Sequence, residues 1–421
     1  MKKAVCVILA ALMCTSLIGC KTEEEKSKKK ATNKAEEAAD DEDSDEDSDD
    51  DKDDDEDRDD SDDGKKNDDK DDDEDDDNDP VVNVKDGEVA IDKNHFPDDA
   101  FREYIASEFD EDGNGVLSEE EIENAYEIRI YDSNYTEEKI YPESLDGIEY
   151  LTELTDLYLY NCKVTSFDFS KMPKLEKLYL DFLSLGTLDV SACQTLKVLH
   201  CDGCELTELI MDNPNLEKLS CRKNDMEVLD LSGCPNIVDL NCDQTPISEL
   251  DLSDVPNLES LHCFYCPIES LDLSYVPHLQ QLCLYENPIE SIDLSVCPEL
   301  EYIACSSTGI SELDVSQNTK VTAIHIDSTA ISSLDVSSCP ELNYLSLTNT
   351  EIQSIDLSQN AKLAYLHTDW SKVTVLDIRS CPILVELVKN VEMHEIGDGR
   401  VNWDGEESQM IIDGACKVIY Q

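Results

Sequence analysis

The sequence predicts an α/β-type solenoid. Short repeats would stack so that their strands form a parallel β-sheet on the concave face, with a short helical cap before the stack and a β-hairpin cap after it. Three observations predict this. Aligned apolar starts recur from Leu145 to Leu376 every 21 residues, with one interval of 22 and one of 20. Inside each unit apolar and polar residues alternate, as in Ser260-Leu261-His262-Cys263, which is the period of a strand with one buried face. The flanks break the pattern, with apolar residues at helical spacing before it and turn-bounded residues after it.

The chain opens on a targeting segment. Lys2 and Lys3 precede a nearly all-apolar run from Ala4 to Ile18, shorter than the roughly 20 residues of a membrane span. It ends in Leu17-Ile18-Gly19-Cys20, and charge begins at once with Lys21. This resembles the bacterial lipobox. The resemblance implies that residues 1–19 are a lipoprotein signal peptide and that Cys20 is lipidated, leaving the exported chain anchored to the outer face of the cytoplasmic membrane. Residues 21–80 contain 34 Asp/Glu and 11 Lys/Arg, and no large apolar side chain lies between Lys21 and Val81. Such a segment cannot bury a core and repels itself, so 20–80 is expected to be a lipidated cysteine followed by a disordered acidic tether.

Acidity extends beyond the tether. Of the net charge of −66, residues 21–80 carry −23 and the two N-terminal lysines +2, which leaves −45 on residues 81–421. A folded part this acidic repels nucleic acid and suits divalent cations.

Residues 94–130 read as helix–loop–helix. Pro97, Asp98 and Asp99 suit a helix start, and Phe101, Ile105 and Phe109 follow at helical spacing. A second helix starts near Ser118 and carries Ile122, Ala125 and Tyr126. The loop between them places Asp110, Asp112, Asn114, Val116, Ser118 and Glu121 at alternating positions, with Gly115 at the sharp turn and Leu117 as apolar anchor. It resembles an EF-hand. The resemblance implies one structural Ca2+ held by the side chains of Asp110, Asp112, Asn114, Ser118 and Glu121 and by the Val116 carbonyl. A second loop is not seen. Ser118 and Glu121 also have the spacing of a capping box.

Residues 145–396 make about 12 units of 21 residues. They resemble leucine-rich repeats of the short-period form, L-x-x-L-x-L-x-x-N/C-x-L. A single unit cannot bury its stripe, so neighbours must stack. The repeat fades after Val388, and residues 397–421, with Trp403 and the turn at Asp413-Gly414, are expected to form the hairpin cap.

Repeat register also assigns the cysteines. Of 18, Cys6 and Cys14 leave with the signal and Cys20 takes the lipid, so 15 remain. The Cys-x-x-Cys pairs 201/204 and 263/266 suggest zinc, but Cys201, Cys221, Cys242, Cys263 and Cys305 share the inward strand position. Cys204 and Cys266 fall at the asparagine-ladder position with Cys162, Asn224 and Asn287. Buried thiols acting as small hydrophobes are expected. A column of aspartates, from Asp189 through Asp230, Asp251 and onward to Asp377, precedes Ser, or in the last case Arg379, by two residues. Each is expected to cap local backbone N–H groups in a turn.

Residues flanking the strand leucines should point outward onto the concave face. There His262, Phe264, Tyr285, Tyr302, His325, Asp327, Tyr344, Tyr365 and His367 are the candidate ligand-binding residues. Aromatic rings beside hydrogen-bonding groups suit a protein or glycan partner. The histidines are too widely spaced to share a metal.

The sequence holds no nucleophile elbow, phosphate loop or HExxH, so it does not read as an enzyme. The whole resembles exported leucine-rich-repeat proteins of gut-type Gram-positive bacteria, several of which place an EF-hand-like segment before the repeats. That resemblance implies a monomeric cell-surface binding or adhesion protein. The alternative is a surface scaffold or accessory protein of a carbohydrate-processing system with no ligand of its own.

Overall fold

The computed structural model describes residues 84–131 and 141–421. The chain divides into two units, Met1–Asn78 and Asp79–Gln421. The signal peptide, Cys20 and the acidic tether lie outside the described residues. Among those described, no helix is long and apolar enough to cross a membrane.

The centre of the fold is a fifteen-stranded sheet. Eleven repeat strands, from Asp156–Tyr160 to Tyr365–His367, run parallel in unbroken register, Leu240 opposite Leu261 and Leu261 opposite Leu282. Parallel pairing follows from the repeat, because every unit leaves and re-enters the sheet on the same side. The central leucines Leu157, Leu178, Leu240 and Leu261 have no exposed surface. Burying each contributes about 1.5–3 kcal/mol.

Between strands the chain descends through loops fixed by side-chain bonds to backbone. Asp189 Oδ1 accepts the Ser191 N–H at 3.0 Å, and the contact recurs at Asp251/Ser253, Asp314/Ser316 and Asp356/Ser358. The aspartate column is therefore a set of turn caps. Two buried ladders run the length of the stack. In one, Asn213, Asn318 and Asn360 sit where other units have Cys193, Cys297 or Cys339. Asn318 Nδ2 donates to the carbonyls of Leu294 and Cys297, and Cys297 Sγ donates to those of Leu273 and Val276. In the other, Asn224 and Asn287 share a place with Cys204, Cys266 and the hydroxyls of Thr245, Thr308, Thr329 and Thr350, each threonine bonded to the carbonyl three residues before it. All fifteen cysteines from Cys162 to Cys416 are free thiols, and all but Cys416 are buried.

After each strand one residue adopts the left-handed conformation, with φ of 50–59° from Asn161 to Trp370 and 64° at Gly203. Most of these residues are not glycine, so each strains the backbone modestly. The neighbouring repeat offsets the strain: the Ser307 N–H donates to the Asp327 carbonyl at 2.7 Å and the Ser328 N–H to that of Thr348 at 2.9 Å.

Both ends depart from the sequence reading. At the start, helices α1 (Asp99–Glu108) and α2 (Glu119–Asn124) flank the loop, but the sheet's first strand is Glu127–Tyr131, paired parallel with Asp156–Tyr160. Ile128 and Ile130 alternate inward. The helical segment packs on the first repeat: Phe96 meets Tyr150 at 5.8 Å, and Asp98 Oδ2 accepts the Glu143 N–H.

At the far end, the twelfth repeat strand expected at Val388 is absent. Pro382–Asn390 form helix α3 instead. Pro382 has no N–H for a ladder but suits a first helical turn, and Leu384 and Leu387 bury one helical stripe. The cap then supplies the missing strand. Gln409–Asp413 pairs parallel with Tyr365–His367, and Arg400–Asp404 and His394–Gly397 add antiparallel strands outside it. The final strand, Lys417–Ile419, pairs with Val375–Asp377.

Candidate functional site

Two places in the fold gather chemistry-bearing side chains. The first is the loop between α1 and α2. The Ser118 hydroxyl caps α2 by accepting the Glu121 N–H, and the Glu121 carboxylate returns to the Ser118 N–H at 2.7 Å, which completes the capping box. The other Glu121 oxygen reaches across the loop to the Glu111 N–H at 2.8 Å. Asp110 accepts from the N–H groups of Asn114 and Gly115, and Asp112 accepts from that of Asn114. These bonds turn the carboxylates toward one point, and oxygens of Asp110, Asp112 and Glu121 all lie within 4.8 Å of one another. Among the described residues no other such trio of His, Cys, Asp or Glu occurs. Burial pushes the Glu121 carboxyl up, but the hydrogen bonds from Ser118, Glu111 and Asp112 outweigh it and hold the group below the usual carboxylate range.

The loop's short strand Val116–Leu117 pairs antiparallel with Val89–Ala90, and the Ile91 N–H donates to the Gly115 carbonyl at 2.9 Å. The upstream segment thus covers the edge of the loop strand. An all-oxygen donor set of this kind fits a hard divalent cation such as Ca2+ rather than zinc.

The second place is the open face of the parallel sheet, near its C-terminal end. Six candidate rings form a continuous cluster there. Tyr302 lies 5.3 Å from His325, His325 stacks on Tyr344 at 4.4 Å, and Tyr344 stacks on Tyr365 at 5.8 Å, with Tyr285 6.4 Å from His325. His367 meets the Tyr344 ring edgewise, its Nδ1 3.2 Å from the Tyr344 hydroxyl.

Two of these residues do not present the surface that the alternating pattern implies. Tyr302 is 2% exposed and His325 3%. Both point to the open face but are covered, because adjacent strands bring large rings to the same level. They support the cluster, while Tyr285, Tyr344, Tyr365 and His367 remain partly exposed. Burial, with a smaller effect of His367, lowers the His325 pKa to about 3, so the ring is neutral, and burial lowers His367 too. His325 Nε2 is buried without a hydrogen-bond partner. Asp327 stands at the cluster's edge and accepts from the Ser346 hydroxyl and the Thr348 N–H. Burial outweighs those bonds and raises its pKa. His262 and Phe264 are partly buried farther along the face, where Phe264 packs against Tyr265 at 5.5 Å.

The cap adds residues that the sequence reading missed. Gln409 sits opposite Tyr365, and its Oε1 is 3.1 Å from His367 Nε2. Arg400 Nη1 donates to Asp369 Oδ2 at 3.2 Å, and its guanidinium lies over the Trp370 ring at 4.2 Å. A second stack, Tyr158, Tyr179 and His200, stands at the other end of the face, with centroid separations of 4.7 and 4.5 Å and Arg129 over Tyr158. Its three rings occupy one repeat column, each opposite the next in neighbouring strands.

No family model and no curated protein sequence matches the chain. Solved structures do. An internalin from Listeria monocytogenes str. 4b is 20% identical over 70% of this chain and 88% of its own, with a TM-score of 0.59. A leucine-rich-repeat protein from Leptospira interrogans is 18% identical over 61% of this chain and 70% of its own, with a TM-score of 0.55. The folded part is thus a leucine-rich-repeat solenoid like those of bacterial proteins.

Proposed function

We propose that this chain is a cell-surface binding or adhesion protein that engages a protein or glycan ligand through the open, concave face of its repeat sheet. The observation that supports this most is the continuous aromatic cluster from Tyr285 to Tyr365, with polar groups at its rim. Large rings on a rigid sheet lose little entropy when they bind. On this reading the chain is exported and held by lipid at Cys20. The loop 110–121 holds one Ca2+ through Asp110, Asp112, Asn114, Val116, Ser118 and Glu121, and the cation supplies positive charge that neutralises the inward-turned carboxylates.

A protein and glycan array probed with the Cys20→Ala chain, which lacks the acylation site, tests the binding claim. A ligand whose affinity falls at least tenfold in Tyr365→Ala supports it. Ligands unaffected by Tyr365→Ala and Tyr285→Ala would move the site off this face. The anchor is tested by mass spectrometry of the native N-terminus, where an unmodified start elsewhere than Cys20 overturns it.

A further inference from the structure

We infer that the aromatic cluster at the C-terminal end of the open face, together with the cap strands that continue it, receives a cationic side chain from a basic polypeptide segment. This rests on the concave-face reading above and names the chemistry of the partner. Around the cluster the charged groups are Asp327, Asp369, Asp404 and Glu407. Arg400, the cation at the seam, is already committed to Asp369 and to the Trp370 ring. Asp404 and Glu407 are exposed. Asp404 lies opposite Gln409, which lies opposite Tyr365, so it joins the same face two strands from that ring, with Glu407 in the turn that follows. Burial raises the Tyr365 hydroxyl pKa, with smaller effects of Glu407 and Asp404. Both histidines are held neutral by burial, so neither offsets that charge.

A second observation is independent of the acids. His325 Nε2, at the floor of the cluster, is buried and has no partner. In the tautomer with its hydrogen on Nδ1, the neutral ring presents Nε2 as an acceptor for an ammonium or guanidinium. Tyr344 stacks on the same ring, so this nitrogen lies directly beneath the aromatic surface that faces solvent. The rings otherwise supply an apolar wall for the methylene stem of lysine or arginine. An anionic ligand would meet like charge. A sugar ring would need a free aromatic face, and Tyr344 has His325 on one side and Tyr365 on the other. The −45 charge of residues 81–421 also draws basic partners in from a distance.

The test uses the Cys20→Ala chain and three labelled decapeptides, one lysine-rich, one glutamate-rich and one neutral, in about 0.15 M salt, where exposed charges more than about 8 Å apart are screened. Affinity is measured by anisotropy, and the contact is located by hydrogen exchange. The lysine-rich peptide should bind preferentially and protect Tyr344–Ser346, Tyr365–His367 and Gln409–Asp413. Asp404→Asn with Glu407→Gln should weaken it at least fivefold. Glu249→Gln with Glu269→Gln, the same charge change at exposed positions outside the sheet, should weaken it less than twofold. Equal weakening by both pairs would mean attraction to net charge and would overturn the proposal, as would equal binding of the neutral peptide. If an array partner protects this face without depending on Asp404 and Glu407, the concave-face reading stands and the cation assignment falls. If neither peptides nor array partners protect the face, both fall.

Discussion

Tyr344 stacks on His325 with ring centroids 4.4 Å apart and planes 25° from parallel. That contact separates the residues that form the floor of the cluster from those that meet solvent. His325 beneath is neutral and enclosed, while Tyr344 above is tied through its hydroxyl to His367 and, through that ring, to Gln409 of the cap.

The division predicts opposite outcomes for two tyrosines of one column. Tyr302→Ala removes a side chain that is 2% exposed and should cost about 3–5 kcal/mol, as other large aromatic truncations do. Tyr365→Ala should change stability much less and act mainly on ligand affinity. Urea denaturation of both variants checks this, and equal losses would contradict the assignment of floor and surface.

Calcium should bind with a dissociation constant of about 10⁻⁴ M, as in extracellular modules, and should raise the melting temperature by mass action. Titration calorimetry on the wild type and Glu121→Gln is the measurement. Equal heats from the two would remove the site. Because Val89–Ala90 pairs with the loop strand, calcium should also slow hydrogen exchange at residues 89–91 in the wild type alone.

The turn caps predict acid sensitivity. Backbone and hydroxyl bonds from the serine two residues on hold Asp251, Asp272, Asp314 and Asp335 below the usual carboxylate range. A pKa lowered on folding contributes stability that is complete above the unfolded value, near 3.9, and is lost as pH falls toward and through the folded value. Melting temperature should therefore drop between about pH 5 and 3. Asp251→Asn, Asp272→Asn and Asp314→Asn together should flatten that slope. An unchanged slope would assign the acid response to other carboxylates.

The left-handed residue of each repeat gives a prediction free of charge effects. Ser307→Gly removes backbone strain but loosens the unfolded chain, for a net gain of about 0–1 kcal/mol. Ser307→Val places a β-branched residue at φ 57° and should cost about 1–3 kcal/mol. Thermal melts of the two should diverge in sign or nearly so, and a Val variant as stable as the Gly variant would show that the position relaxes.

The repeat was legible because burial demands apolar residues at fixed register, and Leu240, Leu261 and Leu282 keep that register without exception. The aspartate caps were legible for the same reason, since each bond spans two residues. Non-local consequences were hidden. Ile128 and Ile130 form a strand because Asp156–Tyr160 lies beside them, whereas their alternation is too short to stand out after a helical pattern. The residues Leu384-Val-Glu-Leu387 satisfy a repeat and a helix alike, and Pro382 decided for the helix. A column position says which face a residue joins, but not that neighbouring rings will cover Tyr302 and His325. Gln409 and Arg400 belong to the face only through the fold of the cap, far from any periodic signal.

The fifteen thiols carry a mechanical consequence. Being free, they stitch no repeat to another, and each repeat holds only its immediate neighbours. Pulled from its ends, such a stack yields by peeling rather than by breaking at once. Each repeat of 21 residues released would give roughly 70 Å of chain at about 3.3–3.6 Å per residue, so under load the stack would lengthen in regular steps and shorten again as the repeats re-dock.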